Sequence, residues 1–158
     1  MNTLATISST RRDRGLRRPW NRLTELVSRM IPDSLLALAA RLAVAGIFFQ
    51  SGRTKVDGFL TLTDGAYALF REEYKVPLVP PEIAAHLAAY AEHLFPLLLA
   101  LGLCTRFSAL ALLGMTAVIQ VFVYPDAWAT HLSWAGLLLL LIGRGGGAIA
   151  LDRAIGLK

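Results

Sequence analysis

The sequence predicts an all-α membrane protein, a bundle of four transmembrane helices, from its composition and from four apolar stretches. Of the 158 residues, 55% are hydrophobic and only 17% are charged, and the mean hydropathy is +0.53. A water-soluble domain usually carries roughly 25% charged residues. Each apolar stretch approaches the ~20 residues that cross ~30 Å of hydrocarbon as a helix. The length indicates one membrane domain.

The four predicted spans are bounded by residues that stop helices. They cover about Ser34–Ser51, Glu82–Gly102, Phe107–Val123 and His131–Ile142. Proline, which lacks an amide proton, precedes the first two spans and follows the third. The fourth ends in a glycine-rich run, and it is short unless it begins near Ala127. No small-residue cleavage site follows the first span, so we expect an uncleaved helix rather than a signal peptide.

Residues 1–33 form a basic segment, predicted to be a cytoplasmic tail. Within it Trp20, Leu23 and Val27 share one face of the segment Trp20–Ile31, a spacing typical of an amphipathic helix on a membrane surface. The net charge of +5 also raises the hypothesis of nucleic-acid binding. However, no aromatic platform or zinc-ligand spacing accompanies the arginines, and a basic stretch before an apolar span usually sets topology or contacts anionic lipid. We expect the lipid bilayer, and no nucleic acid, as partner.

The first loop, Gly52–Pro81, is long for a connection without structure of its own. Apolar residues recur in it at helical spacing, at Phe59, Leu62, Ala66, Leu69 and Phe70. This pattern predicts a short interfacial or re-entrant helix, and a polar loop with incidental apolar residues is the alternative.

The distribution of lysine and arginine predicts that both termini are cytoplasmic. With that orientation, eleven basic residues lie inside, including Arg106 in the tight turn after the second span, and four lie outside, all in the first loop. This asymmetry follows the positive-inside rule.

Ionisable residues inside a span are costly, so each one indicates a functional site. Glu92 is near the middle of the second span, and Arg41 lies at a similar depth in the first. We therefore predict an Arg41–Glu92 ion pair, with snorkelling of Arg41 to the headgroups as the alternative. Pro96 leaves the carbonyl of Glu92 without its usual amide partner, which supports a polar site there.

Other polar residues are candidates for the same buried core or for a pocket. His86 and His93 complete the predicted polar core, and Tyr90 lies between them on one helical stripe. The candidate pocket-lining residues also include Gln50, Lys55, Gln120 and His131. Two histidines two turns apart are too few for a metal site, so we expect none. Cys104 is the single cysteine, which excludes an internal disulfide.

Three motifs lie in order along the chain. They are the first-span residues Arg41, Gly46, Gly52 and Lys55, the stretch Glu92–Arg106 around Pro96, and the glycine-rich run Gly143–Asp152 with its Leu-Asp ending. Together they resemble the DoxX family of small bacterial membrane proteins, whose pattern includes a Gly-Leu-x-Thr-Arg turn. The resemblance covers about residues 35–155 and defines a four-helix domain over residues 34–155. The arginine-rich tail is not part of the pattern.

The resemblance implies a multi-pass protein of the bacterial inner membrane. Some relatives are membrane subunits of thiosulfate:quinone oxidoreductase or partners in sulfur and oxidative-stress metabolism. The first hypothesis is thus a quinone-linked subunit, at most one part of an enzyme, with quinone as cofactor and electrons arriving from a soluble redox partner. Similar proteins that relay dithiols use cysteine pairs, and a single cysteine excludes that chemistry.

Two further hypotheses remain open. One is a scaffold that anchors soluble enzymes through its basic tail and first loop. The other is a small transporter or proton pathway that uses the Arg41–Glu92 pair. Four helices are few for alternating access, so a transporter implies a homo-oligomer.

The predicted orientation can be tested with reporter fusions. Alkaline phosphatase fused after Val76 should be active, because that enzyme matures only outside the cytoplasm, and green fluorescent protein fused after Leu157 should fluoresce. The opposite result at both positions would show that the charge count assigns the wrong orientation.

Overall fold

The computed structural model describes residues 19–157, in which residues 19–30 form a first helix, α1. Four long helices follow. They are α2 (Asp33–Arg53), α4 (Pro81–Leu101), α5 (Thr105–Val118, continued by a π-helical turn, Ile119–Val123) and α6 (Trp128–Arg144, preceded by a 3₁₀ turn, Pro125–Ala127). With these extensions each is 19 to 21 residues long and apolar enough to cross a membrane. The predicted four-span, mostly helical fold is therefore confirmed, and the fourth span has the longer extent that a start near Ala127 would give.

Helix α1 belongs to a separate unit, because the contacts divide the chain between Asp33 and Ser34. Its large apolar side chains, among them Trp20, Leu23 and Met30, are exposed. Its placement on a membrane surface stays a prediction. The first 18 residues of the basic tail lie outside the described residues.

The loop between α2 and α4 holds a short hairpin and a short helix. Strand β1 (Val56–Asp57) pairs antiparallel with β2 (Thr61–Leu62), and helix α3 (Asp64–Leu69) continues as a π-helical turn, Phe70–Tyr74. The expected short helix is present, but it begins later than the apolar spacing from Phe59 suggested. The reason is that Gly58 and Leu60, with φ of 57° and 143°, turn the chain into the hairpin.

The core runs along the centre of the bundle, where the four long helices meet. Its largest members are each at most 1% exposed: Val44, Phe48, Leu99, Leu112, Leu138 and Leu141. Many other leucines on the same helices face outward, for example Leu87, Leu110 and Leu139. Such a surface is unfavourable in water, whereas lipid chains solvate it as well as the protein interior does.

The end of the bundle where α4 turns into α5 is called the turn end, and the end that carries residues 54–80 is called the loop end. At the turn end the carboxylate of Asp152, in the short helix α7 (Leu151–Ala154), accepts hydrogen bonds from the amides of Cys104 (2.6 Å) and Thr105 (2.8 Å). The amide of Asp152 donates to the carbonyl of Gly102 at 2.9 Å. A residue 47 positions away thus caps the N-terminus of α5, where backbone N–H groups have no partner within the helix.

We expect Asp152→Ala to destabilise the bundle by about 1–2 kcal/mol, because it removes an N-terminal helix cap. Asp152→Asn keeps one acceptor oxygen and should recover part of the loss. The measurement is the thermal unfolding midpoint of the purified protein in detergent, with the exposed Asp126→Ala as matched control. An unchanged midpoint in Asp152→Ala would show that the cap contributes nothing.

Candidate functional site

A buried ion pair joins the loop end of α2 to the middle of α4. The ammonium of Lys55, two residues beyond α2, lies 2.7 Å from a carboxylate oxygen of Glu92, and both side chains are about 5% exposed or less. Lys55 Nζ also donates to the hydroxyl of Ser51 at 3.0 Å and to its carbonyl at 3.2 Å. The Ser51 hydroxyl lies 3.4 Å from the second carboxylate oxygen of Glu92. Ser51, Lys55 and Glu92 are called the ion-pair cluster.

A glycine allows α2 to approach α4 closely beside this cluster. A Cβ atom at Gly52 would lie 2.9 Å from the imidazole of His93, a distance that real Cβ atoms essentially never show, and 3.0 Å from the Cβ of Glu92, which is tighter than most real contacts. Any larger residue would therefore push the two helices apart. The amide of Lys55 donates to the carbonyl of Gly52 at 3.0 Å, which holds the lysine in place directly after the helix.

The ion-pair cluster forms part of the wall of a cavity of about 480 Å³, which is lined by residues from α2, α4, α5, α6 and the first loop. Most of the wall is apolar and includes Ile47, Phe95, Met115 and Trp134. The polar lining residues are Ser51, Lys55, Tyr74, Glu92, Tyr124 and His131. Ligand sites have this composition, a mostly apolar volume of roughly 300–1,000 Å³ with a few placed polar groups.

His131 is held by a chain of hydrogen bonds at the loop end of α6. The side-chain nitrogen of Gln120 donates to the carbonyl of Pro125 at 2.6 Å, and the side-chain oxygen of Gln120 lies 2.6 Å from Nδ1 of His131. The ring of His131 is 5% exposed and packs edge-on against Trp134, with 5.0 Å between centroids. Gln120 itself does not line the cavity; it orients a residue that does.

Two tyrosines from distant parts of the chain meet at the cavity. Tyr74, in the π-helical turn of the first loop, and Tyr124, which follows α5, pack edge to face with 5.8 Å between ring centroids. Burial of the Tyr74 phenol, followed by the influence of the neighbouring Tyr124 side chain, raises the pKa of Tyr74 far above its usual value. Tyr74 therefore stays protonated at any physiological pH.

The predicted Arg41–Glu92 ion pair is wrong. Arg41 is 2% exposed, and its guanidinium donates to the carbonyls of Leu99 (2.7 Å), Ala100 (2.7 Å) and Gly146 (3.0 Å) at the turn end. Leu99 is seven residues beyond Glu92, a rise of about 10 Å along the helix. Arg41 extends towards the turn end, where helix carbonyls lack amide partners, and Glu92 takes the lysine from the opposite end instead.

The other predicted polar residues do not form one core with Glu92. His86 is half-buried, and its ring contacts the Glu82 carbonyl (2.8 Å) and the Tyr67 hydroxyl (3.3 Å) rather than the cavity. Nδ1 of His93 donates to the Ala89 carbonyl at 2.7 Å. Within residues 19–157, Nε2 of His93 is buried without a partner.

Of the candidate pocket residues, Lys55 and His131 line the cavity, whereas Gln50 and Tyr90 do not. Gln50 and Tyr90 are exposed, because each lies on the side of its helix that is turned away from the neighbouring helices. Arg106, predicted to lie in the tight turn, is in the first turn of α5, where it donates to the carbonyl of Ile142 at 3.1 Å and so joins α5 to α6 at the turn end. Among the residues that the structure describes, no group of three His, Cys, Asp or Glu side chains could hold a metal ion.

Sequence reasoning missed Ser51, Tyr74 and Tyr124. Tyr74 and Tyr124 belong to segments fifty residues apart, and no local pattern indicates that they meet. For Ser51 a signal existed, because it lies four residues before Lys55 on a helix end, the spacing at which side chains become neighbours.

Four long apolar helices around a cavity with a buried ion pair define the chain as a small multi-pass membrane protein. The family model for DoxX matches residues 36–125. The chain belongs to the DoxX family, and it is a multi-pass protein of the inner membrane. It is also similar to an uncharacterized protein of Haemophilus influenzae, with 33% identity over 135 residues, which cover 79% of this chain and 86% of the relative. No solved structure matches the chain.

Removing one partner of the buried pair should be more harmful than removing both. We expect Lys55→Met to destabilise the protein by about 3–5 kcal/mol, since it leaves an uncompensated buried carboxylate. The double variant Lys55→Met/Glu92→Leu should recover most of that loss, because it restores an uncharged, apolar wall. The measurement is the unfolding midpoint in detergent.

A second ion pair on the same helix provides the control. Arg71 and Glu82 form an ion pair of 2.7 Å, but both side chains are about half exposed. Arg71→Met should therefore change the midpoint little. Equal effects of Lys55→Met and Arg71→Met would mean that burial adds nothing to the Lys55–Glu92 interaction.

Proposed function

We propose that this protein is the membrane subunit of a quinone-linked redox complex and that its cavity binds the ring of the quinone. The observation that carries the proposal is the cavity of about 480 Å³ with the ion-pair cluster in its wall. The resemblance to the DoxX family also supports the proposal, because some relatives in that family are membrane subunits of thiosulfate:quinone oxidoreductase. Electrons reach the site from a soluble partner protein.

The residues of the cavity suit a flat, apolar ring with two polar atoms. Phe95, Met115 and Trp134 offer apolar and aromatic contact to the ring, and the ion-pair cluster offers a charged, hydrogen-bonding wall. A quinone, when bound, supplies the capacity to take up two electrons and two protons. Glu92 can hold or release a proton at its carboxylate, and Lys55, 2.7 Å away, stabilises the ionised form of that group.

The other two functions gain less support. The transporter hypothesis relied on the Arg41–Glu92 pair, and Arg41 instead binds carbonyls at the turn end. The scaffold hypothesis relied on the basic tail and the first loop, and residues 1–18 of that tail lie outside the described residues.

Trp134 allows quinone binding to be measured directly. The chain has three tryptophans, and only Trp134 lines the cavity. In the Trp20→Phe/Trp128→Phe background, ubiquinone-1 should quench the remaining fluorescence saturably, because quinones quench indole only at short range. The double variant Lys55→Met/Glu92→Leu should weaken this binding at least about tenfold, the expected effect of lost hydrogen bonds to charged groups.

Size-matched substitutions inside and outside the cavity are the control. Ala88 lines the cavity, whereas Ala117 lies exposed on α5 and does not. Ala88→Leu should reduce the affinity for ubiquinone-1, and Ala117→Leu should leave it unchanged. Quenching that is not saturable, or that Ala88→Leu and the double variant leave unchanged, would show that the cavity is not a quinone site.

A further inference from the structure

The first loop covers the cavity at the loop end of the bundle. Phe70, Tyr74, Val76 and Val79 contribute to the cavity wall there, and none of these four side chains is exposed. The ring of Tyr74 packs edge-on against Phe70 on one side, with 4.9 Å between ring centroids, and meets Tyr124 on the other. Apolar and aromatic side chains thus separate the cavity from the membrane surface at this end.

The exposed residues of the cavity wall lie on two neighbouring helices. Leu87 on α4 is 60% exposed and Val118 on α5 is 38% exposed, although both line the cavity. The third exposed lining residue among those described is Tyr124, which directly follows the span that contains Val118. A side chain that lines a cavity and is also exposed lies at the rim, so the cavity is open sideways between α4 and α5. The gap between Leu87 and Val118 is called the side opening.

Small side chains leave room along the side opening. Ala84, Ala88 and Ala91 follow one another at helical spacing on the lining face of α4, and Ala111 lines the cavity from α5. Alanine projects a single methyl group, so the facing sides of the two helices leave space that larger residues would fill.

The side opening lies at the depth of the lipid chains. Helix α4 begins at Pro81 and the span of α5 ends at Val123, both at the loop end. Leu87 is six residues from the first of these ends and Val118 is five residues from the second, so each lies roughly 7–9 Å inside its span. The hydrocarbon core of a bilayer, ~30 Å thick, covers nearly the whole length of such helices. The exposed sides of Leu87 and Val118 therefore contact lipid and not water.

We propose that the cavity takes its ligand from the bilayer through the side opening and that the hydrocarbon tail of the ligand stays there. The inference rests on the proposed function and names the substrate class, a membrane quinone whose ring enters the cavity and whose tail leaves between Leu87 and Val118. A cavity of about 480 Å³ has room for the ring but not for a long tail as well. A tail that left at the loop end would expose its methylene groups to water, which is unfavourable, whereas the side opening leads it into lipid. Leu87 and Val118 are thus specificity-determining residues.

The test compares decylubiquinone with an analogue in which a methyl group replaces the decyl tail, both in lipid nanodiscs. Quenching of Trp134 in the Trp20→Phe/Trp128→Phe background gives the two dissociation constants, each referred to the concentration of the ligand in the bilayer. Val118→Phe narrows the side opening and should weaken the binding of decylubiquinone about tenfold relative to the tailless analogue, the expected effect of overpacking against the tail.

Val121→Phe is the matched control. Val121 lies three residues further along the same span, is exposed and does not line the cavity, so the same substitution there should leave the ratio of the two affinities unchanged. A merely structural defect would weaken both ligands alike. The ratio therefore reports the path of the tail and not the integrity of the fold.

A photoreactive tail locates the same path without any substitution. A decylubiquinone analogue with a diazirine on the tail, close to the ring, should label residues 84–91 of α4 and residues 115–123 after illumination, and unlabelled decylubiquinone should compete. Competed labelling of residues 70–79 instead would show that the tail leaves through the first loop, and would overturn the inference.

The outcomes separate the two proposals. If neither ligand quenches Trp134 saturably, the proposed function itself is wrong, and the inferred role of the side opening falls with it. If both ligands bind and Val118→Phe leaves the ratio of their affinities unchanged, the cavity is a quinone site but the side opening is not the path of the tail.

Discussion

The buried Lys55–Glu92 ion pair is the interaction on which the loop end of this bundle depends. Taking two charges out of water costs several kcal/mol each, and the cost is offset only by close geometry and further hydrogen bonds. The chain meets both conditions, with a 2.7 Å contact and the hydroxyl of Ser51 between the partners. Gly52 is required for the same reason, because only a residue without Cβ lets α2 come this near to Glu92. The three residues of the ion-pair cluster, Ser51, Lys55 and Glu92, also form part of the cavity wall.

The turn end uses a different device, in which charged side chains satisfy backbone groups. Arg41 donates to carbonyls at the C-terminus of α4, and Asp152 accepts from amides at the N-terminus of α5. Each charge therefore lies at the helix end whose dipole it complements. Gly102, with φ of 71°, allows the turn between the two helices, and a Cβ there would collide with the Arg41 guanidinium. The motif residues of this region hold the fold together and do not line the cavity.

The fold was accessible from the sequence because hydropathy and proline positions are local signals that fix spans without knowledge of packing. The partner of Glu92 was not accessible, because depth along a helix does not say towards which end an arginine extends. Lys55 lies beyond the end of α2, so a search for ionisable residues within the predicted spans does not include it. The meeting of Tyr74 with Tyr124 and the orientation of His131 by Gln120 depend on tertiary packing, which no periodicity records.

The ion-pair cluster at the loop end and the hydrogen bonds of Arg41 and Asp152 at the turn end are separate networks, and this separation has an evolutionary consequence. Substitutions in the cavity wall can accumulate without disturbing the hydrogen bonds at the turn end, since no hydrogen bond within the described residues joins Arg41 or Asp152 to Lys55 or His131. Homologues with identical turns can thus diverge in what they recognise. Sequence comparison within such a lineage is more informative at cavity positions such as Tyr74, Tyr124 and His131 than at the motif residues of the turn end.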